Sequence, residues 1–127
     1  MRAWFIKAFA SIVMMGLWSG HCNAESAEPS LAEILRDYDN PELSVAQRAM
    51  ISSNLVSIER SLGWANTALR AQRMSRRALY CLPDKLTIEP QELIDMLRDA
   101  LWDEPKLGDT PIGFAVLITL QRAYPCK

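Results

Sequence analysis

The longest regular pattern of apolar residues in this chain lies between residues 45 and 70. The apolar residues recur there at alternating steps of four and three positions, at Ile51, Leu55, Ile58, Leu62, Ala65 and Leu69. This spacing predicts one amphipathic helix of about 25 residues whose apolar stripe belongs to the core. Ser44, with Gln47 three positions later, predicts a capping box at its start. The stripe is longer than one short helix can cover, so we expect part of it to pack against a second subunit in a homodimer.

Three shorter helices are predicted on either side of this long one. Each has a start signal, either a capping side chain or a proline in the first turn. These signals are the capping box Ser30–Glu33, a start at Thr87 or Glu89 with Pro90 in the first turn, and the pair Thr110–Pro111. The stretch between the third and fourth helices, residues 103–111, is expected to be a connecting loop. No segment alternates apolar and polar residues as a half-exposed strand does, so the sequence predicts a small all-α domain of about four helices.

The first 24 residues have the three parts of a secretory signal peptide. The start is basic without an acidic residue, an apolar run covers residues 8–18, and a small polar stretch follows. An uncleaved membrane anchor and lipoprotein processing at Cys22 are the alternatives, but the run is shorter than the roughly 20 residues that span a bilayer. We therefore expect cleavage after residue 24 and a mature domain over residues 25–127 in the periplasm. Its polar first residues, 25–30, are expected to be a loose leader.

Charge and cysteine content narrow the class of the mature chain. Without the signal peptide, 103 residues remain, with 12 basic and 15 acidic side chains and a net charge of −3. No general affinity for nucleic acid or for an anionic membrane surface follows from that balance. Cys81 and Cys126 are the two cysteines of the mature chain. Two cysteines in an oxidising compartment are expected to form one disulfide bond.

The mature chain offers little catalytic chemistry. Its residues include no histidine, because His21 lies in the signal peptide. That excludes Ser-His and Cys-His nucleophilic pairs and imidazole metal ligands. The acidic pair Asp95 and Asp99 has the spacing of an ordinary solvated helix face, and Arg98 belongs to the same surface. We therefore expect no enzyme activity, no bound metal and no cofactor.

Two features remain that a partner protein could contact. The first is the basic stretch of residues 70–77, which contains four arginines, Arg70, Arg73, Arg76 and Arg77. Its plain interpretation is a solvated helix end whose cations face the negative pole of the helix dipole. The second is the loop after the third helix, whose candidate contacts are Trp102, Lys106, Leu107 and Asp109. The simplest interpretation is that this loop only connects the third and fourth helices. The alternative is that Leu107, beside Gly108, projects into a cleft of a partner protein as an apolar anchor.

Short motifs in the second half of the chain resemble those of a known family. The run Tyr80-Cys81-Leu82-Pro83, a following helix, a proline-containing loop and a terminal Ala123-Tyr124-Pro125-Cys126 resemble the Tai-type immunity proteins. Upstream, Gly63-Trp64-Ala65-Asn66 resembles the Gly-x-Ala-Asp stretch of the family's long helix, with Asn66 at the acidic position. The resemblance covers roughly residues 55–126, which is most of the predicted mature domain.

The resemblance implies a periplasmic, all-helical immunity protein, often a homodimer, that occludes a peptidoglycan amidase delivered by a type VI secretion system. The loop after the third helix is then the expected contact, and the arginines at positions 73, 76 and 77 are the alternative. A hypothesis from another class is an acid-stress chaperone similar to HdeA, which exposes apolar surface at low pH. The 15 carboxylates of the chain would permit such acid loosening.

Overall fold

The computed structural model describes residues 28–72 and 78–126, and in this part of the chain the protein is helical. Its elements are α1 (Leu31–Tyr38), α2 (Val45–Ala71), α3 (Pro90–Asp103), a 3-10 helix (Pro105–Asp109) and α4 (Ile112–Ala123). The described residues contain no strand beyond one isolated bridge between Ser30 and Pro111. The predicted all-α fold of four helices is therefore confirmed. The predicted signal peptide and the arginines at 73, 76 and 77 lie outside the described residues.

Helices α1 and α2 begin at the predicted capping boxes. The hydroxyl of Ser30 accepts a hydrogen bond from the backbone N–H of Glu33 at 3.3 Å, and the Glu33 carboxylate accepts one from the N–H of Ser30 at 2.9 Å. That backbone hydrogen bond lowers the pKa of Glu33 below its ordinary value. Ser44 and Gln47 repeat the arrangement at the start of α2. Each pair satisfies N–H groups that a helix start leaves without a partner within the helix.

Helix α4 takes its cap from the other end of the chain. Pro111 precedes it and has no side chain that can accept a hydrogen bond, but the carboxylate of Glu28 accepts one from the N–H of Gly113 at 2.7 Å. Backbone bonds of 3.0 Å from Leu31 to Thr110 and from Ile112 to Pro29 hold the same segment in place. The expectation of a loose leader is thus wrong for residues 28–30, because this polar segment closes the start of α4.

Three of the four helices enclose most of the core. Helices α1, α3 and α4 contribute its largest fully buried side chains, which are Leu31, Leu93, Ile94, Leu97, Val116 and Leu120. Helix α2 lies against them and buries only Leu55 and Asn66 completely. None of the described helices is long and apolar enough to cross a membrane.

The apolar stripe of α2 faces the core but is buried only in part, and its half-buried members Ile51, Ile58 and Leu62 pack against the buried residues. Leu55 is buried and Ala65 is exposed, while the other four members are half-buried. The reason is length: the 27 residues of α2 extend for about 40 Å, whereas the 14 residues of α3 extend for about 21 Å. The shorter helices cannot cover the whole stripe, so part of its apolar surface stays accessible.

Cys81 and Cys126 form the predicted disulfide bond, with their Cα atoms 4.9 Å apart. The N–H of Cys81 also donates a hydrogen bond to the carbonyl of Tyr124 at 2.8 Å. These two links tie the segment before α3 to the end of α4. The closed segment contains α3, the 3-10 helix and α4, so the bond limits the freedom of most of the core in the unfolded chain.

Replacing both cysteines with serine (C81S together with C126S) should lower the free energy of unfolding by about 2–4 kcal/mol, because the unfolded chain regains the entropy of an open loop of this length. Urea denaturation followed by circular dichroism measures the loss. A reducing agent should destabilise the wild-type protein to a similar extent and leave the double variant unchanged. Equal stability of oxidised wild type and variant would contradict this account.

Candidate partner-binding site

The connection between α3 and α4 is a packed 3-10 helix, whereas the sequence predicted an irregular loop. Leu107 is only 3% exposed, and Gly108 beside it is also buried. A Cβ atom added at Gly108 would lie 3.2 Å from Cδ1 of Leu101 and 3.3 Å from Cβ of Ala32. A side chain at this position would require Leu101 or Ala32 to shift by a few tenths of an ångström, so glycine suits the close approach of the segment to α1 and α3. The 3-10 helix thus packs against both α1 and α3 at Gly108.

The proposed role of Leu107 as a projecting anchor is wrong. Its side chain belongs to the core, with buried residues of α1, α3 and α4. The physical reason is the 3-10 turn, in which the backbone N–H of Leu107 donates to the carbonyl of Glu104 at 2.9 Å and the N–H of Thr110 donates to the carbonyl of Leu107 at 3.1 Å. The turn directs the apolar residue inward, where burial of its side chain is favourable.

Trp102 is the apolar residue that this part of the chain does present to solvent. Its side chain is 86% exposed at the end of α3. Beside it lies a shallow depression of about 520 Å³ between α1, α3 and the 3-10 helix. Its lining residues, which we call the Trp102 surface, are Ala32, Leu35, Arg36, Asp39, Arg98, Leu101, Trp102 and Pro105. A large exposed aromatic ring next to a mainly apolar hollow is the arrangement found at the energetic centres of protein interfaces.

A network of charges borders the Trp102 surface. Arg98 donates hydrogen bonds to Asp39, the residue that follows α1, and, at 3.0 Å, to Asp95 of α3. Its guanidinium also lies 5.7 Å from the centre of the Tyr38 ring. The hydrogen bond to Asp39 is the main reason that the pKa of Arg98 is raised above its ordinary value. Arg98 is thus held in one orientation, and it ties α1 to α3 below Trp102.

The other predicted contact residues do not gather around Trp102. Lys106 and Asp109 are exposed on the 3-10 helix, but neither lines the depression. Arg70 is exposed near the end of α2, outside the Trp102 surface. The arginines at 73, 76 and 77 lie outside the described residues, so their part in binding stays a prediction.

Sequence reasoning missed the contribution of α1 to this site. Arg36 lies in α1 and Asp39 is the residue that follows it, whereas Arg98 was interpreted as ordinary surface. The mixture of charged and apolar positions on α1 indicates that one face of this helix is exposed. It does not indicate that α1 lies beside Trp102, because that contact depends on the tertiary fold. Among the described residues, no group of three or more histidine, cysteine, aspartate or glutamate side chains is arranged to hold a metal ion.

No protein-family model, no curated protein and no solved structure matches the chain. The family resemblance therefore depends on the short motifs given above.

Two truncations in this part of the chain should differ strongly in their effect on the free energy of unfolding. Leu107→Ala should lower the free energy of unfolding by about 2–4 kcal/mol, because it opens a cavity in the core. Trp102→Ala should change it by no more than about 0.5 kcal/mol, because the indole is exposed. Chemical denaturation of both variants measures the difference. Similar losses in the two variants would contradict the assignment of one residue to the core and the other to the surface.

Proposed function

We propose that this chain is a periplasmic immunity protein that binds a type VI secretion peptidoglycan amidase and occludes its active site. The observation that carries the proposal is the Trp102 surface. Trp102 is a large aromatic side chain that is 86% exposed beside a mainly apolar depression. Water contact with that much apolar surface is unfavourable, and a partner that covers it would gain binding energy.

The support beneath Trp102 suits inhibition by occlusion. A protein that blocks a cleft needs no catalytic group of its own, but it must present its contact residues without a large loss of entropy on binding. Trp102 lies at the end of α3, and the next segment is fixed by the buried Leu107 and Gly108. Little chain ordering would then be needed when the partner binds.

The polar residues around Trp102 suit an interface with a polar rim. Arg36 and Asp39 line the depression, and Lys106 and Asp109 are exposed on the neighbouring 3-10 helix. Charged residues at the edge of an apolar centre contribute to partner choice and association rate more than to affinity. We therefore assign Trp102 the main energetic role, with Lys106 and Asp109 as peripheral contacts.

The family resemblance supports the choice of an amidase as the partner. The two cysteine-proline segments that carry the resemblance are joined by the disulfide bond, so they form one part of the scaffold. Periplasmic location depends on the predicted signal peptide. The half-buried stripe of α2 is the surface that we assign to a second subunit, because exposed apolar area on a long helix favours self-association.

Trp102→Ala should weaken binding of the wild-type amidase from the same genome by about 30-fold or more, which corresponds to about 2 kcal/mol. Surface plasmon resonance measures the affinity, and release of peptide from purified peptidoglycan measures inhibition of the amidase. Phe114→Ala is the matched control, because Phe114 is an exposed aromatic residue of α4 outside the Trp102 surface. Lys106→Ala should change the association rate more than the dissociation rate.

Each outcome of this experiment bears on the proposal. Equal affinity of the Trp102 variant and the wild type would place the interface elsewhere, with the arginines at 73, 76 and 77 as the next set to replace. Failure of the wild-type chain to bind any amidase of that genome would contradict the immunity function. The chaperone hypothesis predicts a different result, namely suppression of the aggregation of unrelated proteins at low pH.

A further inference from the structure

A second cleft lies on another part of the protein, between the C-terminal half of α2 and the segment of residues 80–86. It encloses about 650 Å³, and no residue lines both this cleft and the Trp102 surface. We call it the α2 cleft and define it by Arg60, Trp64 and Arg70 on the helix and by Tyr80 and Lys85 on the opposite segment. Its volume lies within the usual range for sites that hold small ligands or short peptide segments.

Asn66 builds the wall of the α2 cleft. The Nδ2 atom of this buried residue donates a hydrogen bond to the carbonyl of Tyr80 at 2.5 Å, and its Oδ1 atom accepts one from the N–H of Leu79 at 2.7 Å. The Asn66 side chain thus holds two backbone groups, the N–H of Leu79 and the carbonyl of Tyr80, against α2. An aspartate could accept from the N–H but could not donate to the carbonyl, so the amide at this position has a structural reason.

Tyr80 forms the floor of the cleft and brings a polar atom without a partner. Its side chain is 2% exposed, and its hydroxyl makes no hydrogen bond with any residue in the described ranges. The hydroxyl lies 3.6 Å from the position that a Cβ atom would take at Gly63, which also lines the cleft. A buried hydroxyl without a partner is unfavourable, and a bound group that accepts its hydrogen bond would remove that cost.

Two arginines of the cleft also lack an ion pair or hydrogen bond within the described ranges. Among residues 28–72 and 78–126, four other arginines each have an ion pair or hydrogen bond, namely Arg36, Arg48, Arg98 and Arg122. Arg60 and Arg70 have neither with any residue of these ranges. Lys85 adds a third positive charge from a turn in which its φ of 69° lies in the left-handed region. Along the chain, no acidic residue occurs between Arg60 and Pro83.

An exposed tryptophan stands between these arginines on the helix. Trp64 is 76% exposed and lies four residues after Arg60 and six before Arg70. Tryptophan, tyrosine and arginine are the residue types that most often dominate the binding energy of protein interfaces. Two negative groups, Glu59 and Asp84, also line the cleft, and burial raises the pKa of Glu59 above its ordinary value.

We propose that the α2 cleft is a second binding site of this protein, and that its ligand is a short acidic segment of a partner protein with an apolar side chain next to its carboxylates. The carboxylates would pair with Arg60, Arg70 and Lys85, and the apolar side chain would pack on Trp64. A ligand oxygen would accept the hydrogen bond of the Tyr80 hydroxyl. This site does not depend on the proposed amidase function.

The charge of the whole protein favours a peptide over a larger polyanion. The mature chain has a net charge of −3, which repels nucleic acid and anionic membranes at long range. The α2 cleft instead gathers three cations, Arg60, Arg70 and Lys85, against two acidic residues, Glu59 and Asp84, in a space of peptide size. A local site of this kind selects a short segment in which a few carboxylates match a few cations.

The test uses heteronuclear NMR of the isotope-labelled protein with four acetylated and amidated pentapeptides. Each has two glutamates on either side of a central leucine, phenylalanine, tyrosine or valine, and a matched set has glutamine in place of every glutamate. At least one glutamate peptide should shift the indole N–H signal of Trp64 and the amide signals of Gly63 and Lys85 saturably. Its glutamine counterpart should bind about tenfold more weakly or not at all.

Three variants of cleft residues and one control variant separate the contributions of the side chains to binding. Arg60→Ala and Arg70→Ala should each weaken peptide binding about fivefold or more, whereas Arg122→Ala, with the same loss of charge on α4, should stay within about twofold of the wild type. Tyr80→Phe removes only the hydroxyl, so it should weaken binding while leaving the thermal unfolding midpoint unchanged or raised.

The contrary results are equally specific. No shift at the cleft with any glutamate peptide, or equal binding of the glutamine peptides, would overturn the proposal. Tighter binding of a single-stranded oligonucleotide or of vesicles containing phosphatidylglycerol at the same signals would assign the cleft to another class of ligand. Because no amidase is present, these results are independent of the test of the Trp102 surface.

Discussion

The disulfide bond between Cys81 and Cys126 is the constraint on which the rest of the structure depends. It encloses α3, the 3-10 helix and α4, which together supply most of the buried core. Near one end of the bond, the segment of residues 80–86 has no helix or strand of its own and is held by Asn66 and by the bond itself. In a domain this small, one covalent link can contribute a large part of the net stability.

Both candidate surfaces depend on segments outside the α-helices that are fixed by buried groups. Beneath Trp102, the buried Leu107 and the close approach at Gly108 fix the 3-10 helix. Beside Trp64, the side chain of Asn66 fixes the backbone of residues 79 and 80. In each case a tryptophan is exposed next to a rigid wall, which is the arrangement that lowers the entropy lost when a partner binds. The fold thus presents two separate exposed tryptophans on a frame of four helices.

Local signals in the sequence predicted the helices and the disulfide well. Ser30 with Glu33 and Ser44 with Gln47 are recognised because a capping box depends only on residues three positions apart. The disulfide was predictable because assigning Cys22 to the predicted signal peptide leaves two cysteines, and two cysteines have one intramolecular pairing. The direction of Leu107 was not predictable, because a 3-10 turn that packs under α1 and α3 depends on contacts distant in sequence. The depression beside Trp102 and the hydrogen bonds of Asn66 also depend on contacts distant in sequence, so they were not predictable either. The half-burial of the α2 stripe was not predictable because it depends on the lengths of the helices that pack against α2.

The most direct test of the central claim is hydrogen–deuterium exchange of the protein alone and with the proposed partner, an amidase from the same genome. The account predicts slower exchange on binding in the peptides that cover the end of α3 with the 3-10 helix and in those that cover α1, because these border Trp102. The peptides of residues 112–123 should exchange equally in both states. Protection confined to residues 60–86, with no change around Trp102, would contradict the assignment of the inhibitory surface.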